Sequence, residues 1–139
     1  MSPDRPEAHV LLRGEETGSV LSATEIVVPP RNAGPPLHRH DFDEAFYVLD
    51  GELTFQIDDV LMTRTMGDVC FAPRNVVHAL ANHGEAPARY LLICTPAGFE
   101  RHWAREAAHA AGTPVPPWAS APIPEISVVG PPIPMPAGQ

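Results

Sequence analysis

The stretch GPPLHRHDFDEAFYVLDG, residues 34–51, places three groups able to bind a cation within seven positions: His38, His40 and Glu44. His38 and His40 are two apart, so in an extended chain they project from the same face. Glu44 follows after a short break at Asp41-Phe42-Asp43 and opens an apolar run; if it points inward, Phe46 and Val48 point inward with it. A second segment, GDVCFAPRNVVHALAN at 67–82, sets His78 between Val76, Val77 and Ala79, Leu80. A neutral imidazole in such company needs a partner. Three imidazole nitrogens and one carboxylate oxygen make a ligand set for a divalent first-row metal. They leave room for water or substrate, which separates a catalytic site from a closed structural one. Iron, manganese, cobalt, nickel, copper and zinc all accept such ligands. Each imidazole must be neutral to bind, so metal affinity is expected to fall below about pH 6.

Strands must position these groups. SVLSATEIVV (19–28) is rich in β-branched residues, and EAFYVLDGELTFQIDD (44–59) joins two apolar runs at Asp50-Gly51, a hairpin signal. VLMTRTMGDVCFAP (60–73) reads as two short strands around Gly67-Asp68, and NVVHALANHG (75–84) and PARYLLICT (87–95) complete the set. Many short strands separated by turns predict an all-β sandwich or barrel. One helix is expected over GFERHWAREAAHA (98–110), with Phe99, Trp103 and Ala107 on one face and Gly112 as its stop. It would pack on the outside of the sheet or over an open end.

Half of the 18 prolines follow Gly112, so the tail is not helical; it is either extended or disordered, and only EISVV (125–129) has strand character. The expected layout is an N-terminal segment or edge strand over 1–16, a barrel over 17–97, a helix over 98–111 and a proline-rich tail over 112–139. That tail would run over the barrel or a partner subunit.

Nine basic and 17 acidic residues among 139 give a net charge of −8, which argues against nucleic acid or an anionic membrane as a partner. Cys70 and Cys94 lie in apolar runs and read as small core residues, not a disulfide. The first residues carry no apolar leader, and no run approaches the ~20 residues that span a bilayer. A soluble cytoplasmic protein is therefore expected.

The two histidine segments resemble the paired motifs of the cupin superfamily. The first, G-x5-H-x-H-x3,4-E-x6-G, is met by Gly34, His38, His40, Glu44 and Gly51, with the first glycine two residues too close to His38. The second, G-x5-P-x-G-x2-H-x3-N, is met by Gly67, Pro73, His78 and Asn82, with Asn75 where the family has glycine. Asparagine is the residue that best replaces glycine at positive φ. Within the superfamily, PPLHRH, EAFYVLDGELTF, APRNVVHAL and TPAGFE are similar to small quercetin-dioxygenase-like monocupins.

The resemblance implies an all-β cupin double-stranded β-helix, or jelly-roll, barrel with one C-terminal helix, assembled as a homodimer. It implies that His38, His40, Glu44 and His78 bind one metal ion, with iron or manganese favoured. Glu44 would also serve as general base if it left the metal. The implied activity is a metal-dependent dioxygenase acting on a small aromatic or enolic substrate. A metal-dependent isomerase, cyclase or lyase, and a non-enzymatic binding or sensing protein, are the alternatives.

Phe46, Val48, Phe55, Gln56, Phe71, Leu80, Tyr90 and Leu92 are the candidate pocket residues, with the Tyr90 hydroxyl needing a partner if buried. His9, His83, His102 and His109 lack partners at metal spacing and read as surface residues. Arg39 should point outward, Asp41 and Asp43 are solvated or rim the mouth, and Asn82 should satisfy backbone groups at a turn.

Overall fold

The computed structural model describes residues 4–136; residues 1–3 and 137–139, the outer ends of the predicted N-terminal segment and tail, lie outside it. The strands are β1 (Glu7–Leu12), β2 (Ser22–Val28), β3 (His38–Arg39), β4 (Asp43–Asp50), β5 (Glu52–Ile57), β6 (Val60–Thr65), β7 (Val69–Ala72), β8 (His78–Ala81), β9 (Ala88–Thr95) and β10 (Ser127–Val128). A four-residue helix, α1 (Gly14–Thr17), follows β1, and the long helix α2 (Glu100–Ala111) follows β9. The strands form two antiparallel five-stranded sheets, β1-β2-β9-β4-β7 and β10-β3-β8-β5-β6. This is the expected all-β jelly roll.

Alternation builds the core. Along β9, Ala88, Tyr90, Leu92 and Cys94 point inward and are buried; along β4, Glu44, Phe46 and Val48 do the same. They meet Leu53 and Phe55 of β5, Ile26 and Val28 of β2, and Cys70 and Ala72 of β7. Each large side chain fully removed from water here contributes about 1.5–3 kcal/mol. Both cysteines are free thiols in this core, as expected.

β8 breaks the alternation, with all four residues buried. His78 and Leu80 alternate with Ala79 and Ala81, and the two alanines are covered by Ile133 of the tail and Leu37. A strand covered on both faces reads as a continuous apolar run, which is why His78 stands in one. The strand starts at His78, later than the predicted 75, because Asn75 turns the chain at φ 65 and Val76 closes on the carbonyl of Pro73.

Asp50-Gly51 is not a hairpin. β4 pairs with β7 and β9, while β5 pairs with β6 and β8, so at Gly51 the chain crosses from one sheet to the other. Gly51 has φ 81, and a Cβ there would lie 2.8 Å from the Pro87 carbonyl oxygen. The two-residue hairpin lies at Asp58-Asp59, where Ile57 faces Val60 and Asp58 takes φ 55. It lacks the glycine that usually announces such a turn.

Phe99, just before α2, and Trp103 on it pack against the core, as their spacing predicted; of the alanines it is Ala108 that is buried and Ala107 that is exposed, and Gly112 caps the helix at φ 68. Glu100 is buried and accepts the backbone N–H of Gly14 (2.8 Å) and of Gly98 (2.6 Å), tying the helix start to α1. The described part of the tail, 112–136, packs on α2 and β3, with one departure from an extended chain: a short 3-10 turn at Pro117–Ser120, where proline sits at the helix start that tolerates it.

Arg105 donates to the carbonyls of Ala119 and Ala121, and Arg101 to Pro122 (2.8 Å); the Arg13 guanidinium lies over the Trp118 ring at 4.9 Å. Further on, β10 pairs with β3, Val128 opposite His38, and Leu37 exchanges hydrogen bonds with Val129 (2.8 Å) and Pro131 (3.2 Å).

Candidate metal centre

The four candidate ligands meet at one point. His38 on β3 and His78 on β8 are register partners within one sheet; Glu44 comes from β4 of the other sheet, and His40 from the turn between. One ligand atom from each lies within 4.8 Å of the others, and His40, Glu44 and His78 are buried. Glu44 Oε1 is 2.8 Å from His40 Nε2 and 2.7 Å from His78 Nε2.

Each ring is turned by the backbone. The Nδ1–H groups of His38, His40 and His78 reach the carbonyls of Pro36 (2.8 Å), Phe42 (3.0 Å) and Val76 (2.9 Å), each two residues away along the chain. With Nδ1 committed as donor, a neutral ring presents an Nε2 lone pair. Two such lone pairs against one carboxylate oxygen repel unless a positive charge lies among them. That charge is either a proton on imidazole or a metal ion, so the donor set suits a divalent metal.

Burial would raise the Glu44 carboxyl, but hydrogen bonds from His40 and His78 outweigh it and draw it down to about 2. His78 moves the other way. Burial opposes its charge, yet the Glu44 carboxylate raises it above 6.5. His38, farther from the carboxylate, is lowered, chiefly by burial. The expected loss of metal affinity below about pH 6 therefore shifts upward, to the pH at which His78 gains its proton. Cys94 and Tyr90, beside Glu44, are both raised, first by burial and then by its charge. Neither offers an anion near neutrality.

The loops around the cluster are fixed in detail. The His40 ring stacks on Phe42 at 3.6 Å, and Phe42 lies against Phe99 of α2 at 5.3 Å. Asn75, in the positive-φ conformation expected of a glycine substitute, donates its N–H to the His40 carbonyl (2.7 Å). Gly34 has φ 72, and a Cβ there would sit 1.8 Å from the Leu80 carbonyl oxygen. This displaced glycine is thus the point where the loop before His38 touches β8. Asp43 binds the Arg74 backbone N–H (2.7 Å) and guanidinium (3.1 Å), bracketing the two loops instead of facing the mouth. Asn82 behaves as expected: its amide donates to the carbonyls of Val28, Pro29 and Ala86 and its oxygen accepts from Gly84.

A cavity of about 880 Å³ opens onto the cluster. Of the predicted pocket residues, Phe46, Leu80, Tyr90 and Leu92 line it. Val48 and Phe55 are fully buried core beneath it. Phe71 and Gln56 are corrections. Cys70 and Ala72 are the inward residues of β7, so Phe71 points out and is 53% exposed. Gln56 alternates away from Phe55 and bonds the Asp58 carbonyl on the exterior (3.0 Å).

His102, read as a surface residue, is part-exposed and also lines the cavity, stacked on Phe99 at 5.0 Å. Exposed His9 reaches the rim. Sequence reading missed the wall built by Phe99, Trp103, Ile123 and Ile126. The first two were legible as a helix face, but which side of the barrel that face meets depends on docking.

A two-sheet barrel with a histidine–carboxylate cluster at the floor of its cavity defines a class of small metal-site barrels. The cupin domain family matches residues 24–94, just over half of the chain, and the chain belongs to that family. The structure is similar to a predicted oxalate decarboxylase of Thermotoga maritima, with 26% identity, coverage of 66% of this chain and 80% of that one, and a TM-score of 0.62. It shares its fold with the polyketide cyclase RemF of Streptomyces resistomycificus, at 22% identity, coverage of 65% and 64%, and a TM-score of 0.58. A curated relative, endoribonuclease YbeY of Myxococcus xanthus, is 32% identical over 88 residues, which are 60% of this chain but 30% of that protein. No helix among the described residues is long and apolar enough to cross a membrane.

Proposed function

We propose that this cupin is a metal-dependent dioxygenase acting on a small aromatic or enolic substrate, with His38, His40, Glu44 and His78 holding one divalent metal. The observation that supports the reading best is the meeting of three backbone-oriented imidazoles on one buried carboxylate at the floor of an apolar cavity. An iron or manganese ion would supply Lewis-acid polarisation of a substrate oxygen and, through its redox couple, reactivity with O₂.

The chain's residues bind, orient and keep water away. Phe46, Leu80, Tyr90 and Leu92 form apolar walls for a planar body. Glu44, held at about 2 by its two histidines, is a weak base in that pairing. It becomes a useful proton acceptor for an enol or phenol only when one of those contacts opens.

Purified protein loaded with iron(II) or manganese(II) should consume O₂ with a flavonol, a 1,3-diketone or a catechol. Turnover of these compounds under strict anaerobiosis would favour the isomerase, cyclase or lyase reading, which uses the same residues. Failure to retain any divalent metal would refute both. The homodimer reading draws support from the exposed strip of Tyr47, Val69 and Phe71 on edge strand β7 and its neighbour β4. A monomeric mass in light scattering would contradict it.

A further inference from the structure

Residues 122–126 run along the cavity between two anchored ends. On one side Arg101 and Arg105 grip the carbonyls of Ala119, Ala121 and Pro122. On the other, β10 is laddered to β3, and Ile133 is buried against Ala79 and Ala81. Between these anchors Ile123 and Ile126 line the cavity, and Ile126 also packs on the core. A segment pinned at both ends is a fixed wall, so the side chains it presents shape what can bind.

The remaining lining narrows the ligand. A cavity of about 880 Å³ is near the upper end of the range for small-molecule sites, roughly 300–1,000 Å³. Phe46, Leu92, Phe99 and Trp103 face the two isoleucines across it. The arginine among the lining residues is Arg5, which is exposed and paired with Glu106 at 3.9 Å. A carboxylate on the body of the ligand would therefore leave water for apolar walls, with the one arginine at hand already facing Glu106, at a cost.

We propose that the proline-rich tail is a specificity-determining wall of this site. Ile123 and Ile126 select ligands that place an oxygen pair toward His38, Glu44 and His78 and carry an uncharged body of two or more rings. The inference rests on the metal-site reading above.

The test uses the full chain loaded with zinc, which is redox-silent, and three probes with one chelating group and increasing apolar bulk: acetylacetone, benzoylacetone and dibenzoylmethane. Calorimetry should show affinity rising about a hundredfold across the series. Ile123→Ala and Ile126→Ala should each weaken dibenzoylmethane about tenfold and leave acetylacetone within about twofold. Ile126→Trp should exclude dibenzoylmethane and spare acetylacetone. Acetylacetone binding thus reports in every variant that fold and metal are intact. If all three probes bind equally, or if the isoleucine variants weaken them in parallel, the tail does not select and the inference falls alone. If zinc is not held, the metal-site reading falls and takes the inference with it; if zinc is held and none of the three probes binds, the inference falls alone.

Discussion

Replacing Glu44 by glutamine keeps the volume of the side chain and removes its charge, which isolates what the carboxylate does in the metal-free protein. The group is 5% exposed, so solvent screening is slight. Its folded value of about 2 against an ordinary 4.5, at about 1.4 kcal/mol for each pH unit, corresponds to about 3 kcal/mol. The sign follows from linkage. A carboxyl depressed in the folded state stabilises above its unfolded value and loses that contribution as the pH falls through the folded value.

Wild-type protein stripped of metal should lose about 2 kcal/mol from this group between pH 7 and pH 3, and the remainder below pH 3. Glu44→Gln should lack that component. Urea denaturation of both proteins at pH 7, 5, 4 and 3, in the presence of a chelator, gives the difference directly. The stability gap should be nearly constant from pH 7 to pH 5 with respect to this carboxyl, then close by about 2 kcal/mol by pH 3. Parallel curves down to pH 3 would show that Glu44 is not held ionised by His40 and His78. The charge argument for a cation at the centre would then fail.

The same electrostatics set the pH range for metal binding. His78 is raised above 6.5 by Glu44, so manganese or zinc affinity measured by competition titration should start to fall above pH 6.5 as the pH is lowered; affinity that is flat down to pH 6 would contradict this. Asn82→Ala leaves three carbonyls and one N–H without their side-chain partner and should cost about 3 kcal/mol in urea denaturation. Asn75 sits at φ 65; its glycine variant should be within about 1 kcal/mol of wild type, and Asn75→Val should lose roughly 1–2 kcal/mol. Gly34→Ala drives a methyl to 1.8 Å from the Leu80 carbonyl oxygen, so its melting temperature and its metal content should both fall. Unchanged values for both would mean that the loop before His38 is free to move.

The ligands were legible because their evidence is local: a two-residue period puts His38 and His40 on one side, and one charged residue opens an apolar strand. Asn75 was legible for the same reason, since a turn that needs positive φ accepts few residue types. Asp50-Gly51 shows where local evidence ends. The dipeptide marks a reversal, but whether the next strand returns beside its predecessor or enters the facing sheet is decided by partners 20 or more residues away. Phe71 shows another limit. Hydrophobicity suggested the interior, while β7 gives its inward positions to the small Cys70 and Ala72, the latter opposite Glu44. The cavity wall from α2 and the tail depends on how separate elements dock, and no pattern along the chain carries that information.

The ladder between β3 and β10 fixes an order of events when the chain is made. His38 leaves the ribosome early, but one neighbour of its two-residue strand is formed by Ser127 and Val128, which emerge only after the whole barrel and α2. Until then β3 is held through the single register pair of His38 with His78. The strand becomes an interior strand of its sheet when the tail arrives. A chain cut by a protease within the tail would return to the nascent condition, with its ligand strand again at a sheet edge.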